Sequence, residues 1–145
     1  MKIKKAKLND AKFIHDNLEI LRGDVSYSFL KFQNFYKSFL LNENNWIYIA
    51  EISNNNVGFV TVNKYSSIRY IGYTIELEEV VIIEEMRGRG IGKQFLNLVI
   101  DRIKTDLSIR KIVIKTDDLL VAGKLFSKFL NINNMRVFQK HLNKI

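Results

Sequence analysis

The sequence of 145 residues contains no cysteine, and with cysteine go a disulfide framework, a cysteine nucleophile and any thiolate metal site. It has no proline, no low-complexity tract and no internal repeat. Nothing reads as a linker, so one domain over residues 1–145 is expected. Only two histidines occur, His15 and His141, far apart in sequence. That pattern argues against a histidine-rich metal site and against a serine triad needing a nearby base, and no metal is expected. The opening MKIKKAKLND is basic but lacks the apolar core of a signal peptide, and no run approaches bilayer-spanning length. A soluble, cytoplasmic protein without membrane contact is the expectation.

What is present is enough to fold. Apolar residues make up 47% and aromatic residues 12%, which supplies a packed core and argues against disorder. Lysine and arginine number 23 against 15 acidic residues, for a formal net charge of +8. The plain reading is a solvated lysine surface; the sharper one is a field that draws in an anionic ligand. Coenzyme A, a phosphorylated sugar and nucleic acid would all suit that field, but no basic–aromatic motif of a nucleic-acid binder accompanies it.

Periodicity and turn residues give the elements. Ile3–Lys7 reads as a strand. Asn9 or Asp10 is placed to cap a helix with the stripe Ala11, Ile14, Leu18 and Leu21, which Arg22-Gly23-Asp24 ends. Ser26 or Ser28 opens a second helix with Phe29, Phe32, Tyr36, Phe39 and Leu40 on one side. Trp46–Ser53 and Val57–Lys64 form a hairpin about Asn54-Asn55-Asn56. Gly72–Ile83 is a long strand and Arg87–Gly92 a glycine-rich loop. A helix follows to about Thr105, with Ile91, Phe95, Leu98, Arg102 and Ile103 on one face. Lys111–Thr116 is a short apolar strand, Leu119–Leu130 a helix and Met135–Leu142 a last strand. The order β-α-α-β-β-β-α-β-α-β implies an α/β (α+β) fold with a mixed sheet and helices on both faces.

The sharpest signal is Arg87-Gly88-Arg89-Gly90-Ile91-Gly92-Lys93 between a strand and a helix. Glycines let backbone approach a ligand closely, and a helix start offers unpaired N–H groups at the positive end of its dipole. Such a site suits a phosphate or pyrophosphate. A P-loop is excluded, because Gln94 follows Lys93 and Arg87 stands where that pattern needs glycine. The G-x-G-x-G spacing and the late position also fit a dinucleotide fingerprint poorly. A mere tight turn would not call for three cations around three glycines.

With these residues in view, the stretch Leu77–Leu96, LEEVVIIEEMRGRGIGKQFL, resembles the acetyl-CoA-binding core of GNAT N-acetyltransferases. The resemblance implies acetyl-CoA as co-substrate and a mostly antiparallel sheet. It implies that Arg87, Gly88, Arg89, Gly90, Ile91, Gly92 and Lys93 bind pyrophosphate. Val81, Ile82 and Ile83 would pair with the pantetheine arm, and an amide there would polarise the thioester carbonyl. Gly72–Ile83 and Lys111–Thr116 would splay apart to admit it. Phe126 falls where relatives often carry a proton-donating tyrosine, which is a departure; Lys124 or Ser127 would substitute in a shifted register. Lys128 is within reach of a coenzyme phosphate on the same alignment.

The reaction so implied needs a neutral amine, and a carboxylate takes its proton. The strand before the loop carries Glu76, Glu78 and Glu79, of which Glu78 and Glu79 match acidic positions of relatives. Alternation puts Glu76 and Glu78 on one face and Glu79 on the other unless a bulge intervenes; a salt-bridged strand face is the plain alternative. The compact length resembles the glucosamine-6-phosphate type, in which the last strands often build a dimer, so that acceptor and a homodimer are expected. Arg69, Tyr70 and Lys64 are candidates to line the acceptor pocket. A polyamine, an aminoalkylphosphonate or a protein amine are alternative acceptors, and a non-catalytic CoA-binding module is the alternative to an enzyme.

Overall fold

The computed structural model describes residues 1–22 and 27–114. They build a sheet in the order β1 (Lys2–Lys5), β2 (Asn45–Ile52), β3 (Asn55–Ser67), β4 (Gly72–Ile82) and β5 (Ile109–Ile114). The first four strands are antiparallel neighbours. β5 lies parallel to β4, after the crossover helix α3 (Ile91–Lys104). Helices α1 (Ala11–Arg22) and α2 (Phe29–Leu41) separate β1 from β2 in the chain. The expected mixed sheet and element order therefore hold through β5. The expected helix Leu119–Leu130, the strand Met135–Leu142, residues 115–116 and the break at residues 23–26 lie outside the described residues.

Strand alternation sorts the core into two faces. On one, Ile47, Ile49, Phe59 and Val81 pack with Ala11 and Ile14 of α1 and Tyr36 of α2, all buried. Phe29, Phe32, Phe39 and Leu40 close over this cluster, as the aromatic side of α2 predicts. Ser28 caps α2 by accepting the Lys31 N–H at 3.3 Å, and Tyr36 reaches out of the core to donate to the Lys7 carbonyl at 3.0 Å. On the opposite face Tyr48, Val60, Val62, Ile75 and Leu77 are buried. Helix α3 packs against β1 and β4 and buries Phe95, Leu96, Val99, Ile100 and Ile103.

Four sequence expectations are corrected in detail. Asp10 does not cap α1 directly. It ends a short 3-10 turn (Leu8–Asp10), and its carboxylate accepts the Lys7 N–H at 2.9 Å. Leu21 is exposed: it keeps the stripe of Ile14 and Leu18 but sits in the last turn of α1. The buried stripe of α3 runs through Leu96, Val99 and Ile100 rather than Leu98 and Arg102, which face solvent. The hairpin turns at Ser53-Asn54, whose φ values of 50° and 64° suit a two-residue loop with the twist of its strands, so Asn55 and Asn56 already belong to β3.

Strand β1 sits at the sheet's edge, where Lys2 and Lys4 both reach Glu51 on β2, at 2.8 and 3.2 Å. Lys2 and then Lys4 hold the Glu51 carboxyl below its usual range. At the opposite side of β3, Gly58 lets β4 come close. A Cβ there would lie 2.5 Å from the Val81 carbonyl oxygen and 2.6 Å from Ile82 Cδ1. Backbone cannot yield cheaply, so Gly58→Ala is expected to cost roughly 2 kcal/mol. A urea-unfolding midpoint lowered at unchanged slope would show it; a wild-type midpoint would refute the close approach.

Candidate active site

The geometry of the site begins with one extra residue in β4. Val60 pairs with Val80 and Val62 with Leu77, so two residues, Glu78 and Glu79, stand opposite the single Thr61. Such a bulge resets the alternation of side chains. Glu76 is opposite Asn63 and Val81 is opposite Phe59, so Glu76, Glu79 and Val81 share the face covered by α1 and α2. Asn63 Nδ2 donates to Glu78 Oε2 at 2.9 Å, which draws that carboxylate to the same row. Thr61 Oγ1 donates to Glu79 Oε2, and the Glu79 N–H donates to Thr61 Oγ1 at 3.1 Å. Thr61 is buried, Glu79 half-buried and Glu78 exposed. The structure thus gathers all three glutamates that strict alternation would divide.

The bulge also decides where the backbone of β4 points. The Ile83 N–H donates to the Val57 carbonyl at 3.0 Å, so in an antiparallel ladder Val81 and Ile83 direct their polar groups to β3. Val80 and Ile82 therefore direct theirs to the other edge. Among the described residues that edge is covered by β5 only as far as Leu77, which pairs with Ile114. Of the three expected pantetheine partners, Ile82 faces this edge, whereas Val81 and Ile83 face β3. Val80, which the sequence reading passed over, joins Ile82. Nothing short of the bulge's position would have revealed that parity.

Beyond Ile83 a 3-10 turn (Glu84–Met86) leads into the glycine loop. Gly88 and Gly90 have φ of 72° and 75°, a region that side chains with a Cβ enter at a cost. Gly90 caps α3, and the Gln94 N–H donates to its carbonyl at 3.1 Å. The N–H groups of Ile91, Gly92 and Lys93 then have no partner within the helix and lie at its positive end. Arg87, Arg89 and Lys93 are exposed around them. Arg87 Nε donates to the Ile82 carbonyl at 2.9 Å, which ties the loop to the open edge of β4. Gly92 falls in the first turn of α3 rather than in the loop.

Other candidates lie elsewhere. Arg69 and Tyr70 occupy the turn Ile68–Tyr70 joining β3 to β4, at the opposite end of β4 from the bulge. Six residues of extended strand separate Gly72 from Glu78, which is about 20 Å. The structure therefore does not bring Arg69 or Tyr70 to the glutamates. Tyr70 is flanked instead by Arg69 and Lys111, each 5.6 Å from its ring centroid. Lys64 pairs with Asp106 at 3.1 Å. That carboxyl is held down at about 2, first by the Ser108 hydroxyl, then by the Ser108 N–H and Lys64. Phe126 and Lys128, with Lys124 and Ser127, lie outside the described residues.

A bulged strand with an open edge, running into a glycine loop and a helix start, can hold an extended ligand ending in phosphates. The profile of the acetyltransferase (GNAT) family matches residues 14–130. The chain belongs to that family. This GNAT member is accordingly an acetyltransferase by family, with the fold its sequence led one to expect. None of the curated proteins matches the sequence. Among solved structures, a putative acetyltransferase from Agrobacterium tumefaciens str. C58 superposes with a TM-score of 0.85 at 17% identity, covering 98% of this chain and 100% of that one. A ribosomal-protein-alanine N-acetyltransferase from Brucella melitensis biovar Abortus 2308 gives 0.79 at 17%, covering 98% and 100%. An aminoglycoside acetyltransferase from an uncultured soil metagenomic sample, in complex with sisomicin, gives 0.78 at 17%, covering 99% and 96%. At these identities the likeness is one of fold.

Among the described residues, no atom beyond the adjoining ones lies within 4 Å of a Cβ built on Gly88 or Gly90, so alanine there is opposed by torsion. Each substitution is expected to cost about 1 kcal/mol. Thermal unfolding of Gly88→Ala, Gly90→Ala and the double variant should show two similar, additive losses. Unchanged stability would mean that the loop does not need its left-handed turns.

Proposed function

We propose that this GNAT member transfers acetyl from acetyl-CoA to a primary amine at the β4 bulge. The observation that carries the reading is a single continuous stretch of chain. It sets Glu78 and Glu79, the open edge at Val80 and Ile82, and the unpaired amides at the start of α3 in succession. An extended pantetheine arm suits the open edge as a strand suits a sheet, and a pyrophosphate suits the helix start with Arg87, Arg89 and Lys93 beside it. The residues present thus fit the co-substrate that the family generally uses.

The chemistry follows from pKa values. An alkylamine arrives protonated at neutral pH and must lose that proton to attack. Glu78 or Glu79 takes it, directly or through water. The amine nitrogen then bonds to the acetyl carbon as the carbon–sulfur bond breaks, and the Val80 or Ile82 N–H is placed to stabilise the negative charge on the carbonyl oxygen. The sulfur leaves as thiolate, which an ordinary thiol pKa near 8.5 permits without a dedicated acid, and the second proton that the nitrogen sheds on becoming an amide passes to that thiolate or to water.

For the acceptor, the net charge of +8 favours an anionic amine, and glucosamine 6-phosphate is the proposed first choice. Arg69 and Tyr70 lie at the end of β4 away from the bulge, so its phosphate is assigned to other cations nearer Glu78 and Glu79. Structural neighbours bear names that point to a ribosomal-protein alanine and to aminoglycosides, which puts protein and aminoglycoside amines in the same panel.

Titration calorimetry should show one molecule of CoA bound per chain, and an absence of heat at millimolar CoA would overturn the proposal. The base should lose about a hundredfold or more in kcat as its Gln variant, Glu78→Gln or Glu79→Gln, with CoA affinity kept. Thiol release assayed across the amine panel should favour glucosamine 6-phosphate over spermidine by about tenfold in kcat/KM, the expected worth of one charge-assisted contact. Equal rates would discard the anionic acceptor.

A further inference from the structure

We propose that Thr61 is the positioning residue of the site: its one hydroxyl fixes the bulge of β4 and aims Glu79. The inference rests on the acetyl-transfer reading above and names a residue that the strand before the glycine loop does not contain. Its evidence is the double use of one oxygen. Thr61 Oγ1 accepts the Glu79 N–H at 3.1 Å and also donates to Glu79 Oε2. A bulge costs a strand one regular ladder bond, and the amide left over needs another acceptor. Here that acceptor is a side chain buried in the neighbouring strand.

Two consequences follow from this single contact. The backbone of Glu79 is held toward β3, so the next residue, Val80, must turn its N–H to the open edge. The carboxylate of Glu79 is held along the sheet face rather than left to rotate in solvent. Thr61 therefore ties the candidate oxyanion donor and a candidate base to one another. Asn63, two residues further along the same face of β3, holds Glu78 in parallel at 2.9 Å. It binds only the carboxylate, so its loss would not move the backbone.

Thr61→Val keeps the shape and removes both bonds; Thr61→Ser keeps the hydroxyl. In the free protein, amide hydrogen exchange at Glu79 should quicken by about tenfold in Thr61→Val, as the loss of one hydrogen bond predicts, and stay near wild type in Thr61→Ser. The Val81 amide, which bonds along β3, should keep its protection in both. In turnover, Thr61→Val should lose about tenfold or more in kcat while calorimetric CoA affinity stays within about twofold, and Thr61→Ser should recover most of the loss. Equal Glu79 exchange in wild type and Thr61→Val overturns the lock. Wild-type kcat in Thr61→Val overturns the positioning role. A fall in CoA affinity equal to the fall in turnover also overturns it, since it marks general damage to β4. A wild-type protein that turns over no amine sinks the acetyl-transfer reading itself, a result distinct from a failed lock in an active enzyme.

Discussion

Everything at the site depends on a mismatch of one residue between two strands. Antiparallel pairing would carry β4 past β3 with its glutamates on alternate sides and its edge amides in unbroken rhythm. The second residue opposite Thr61 breaks both patterns at once. It collects the carboxylates on one face and hands the outward backbone positions from odd-numbered residues to even-numbered ones. A mismatch of this kind is unstable unless its spare amide is satisfied. The threonine hydroxyl satisfies it from the neighbouring strand.

Around that mismatch the fold supplies rigidity. Phe59 and Val81, which pair directly across β3 and β4 just past the bulge, are buried against α1 and α2. Val60 is buried on the opposite face. Two hydrophobic layers thus clamp the strands on each side of a polar row formed by Thr61, Asn63 and the glutamates. Gly58 tightens the clamp by letting the backbones meet where any larger residue would part them. The loop that follows has the opposite character, being exposed, cationic and shaped by left-handed glycines. A stiff, buried segment is joined without interruption to an exposed, cationic one.

The glycine loop was legible in the sequence because its signal is local: spacing, residue type and position between a strand and a helix. The order of elements along the chain was legible for the same reason, since alternation and helix stripes are read a few residues at a time. What escaped were relations between distant segments. Thr61 lies eighteen residues before Glu79 and carries no motif of its own. The parity of Val80 depends on where β3 places its partners. Arg69 and Tyr70 looked close to the glutamates because they precede the same strand, but an extended chain carries its ends apart. The stripe of α3 was misplaced by its flanks: Leu98 and Arg102 keep helical spacing with Phe95, yet the sheet receives Leu96 and Val99.

The lysines of β1 acquire a meaning once both margins of the sheet are compared. Any chain that tried to extend the sheet beyond β1 would have to strip water from Lys2 and Lys5, exposed on a strand of only four residues, and compete with the ties to Glu51. Short, charged margins of this sort repel stray strands. β4 past Leu77 is guarded less among the described residues: Val80 and Ile82 are aliphatic with backbone facing outward, and Arg87 Nε holds the Ile82 carbonyl. Among the described residues the sheet is therefore asymmetric in its sociability, closed to unplanned company on one flank and more receptive on the flank where we propose an extended guest.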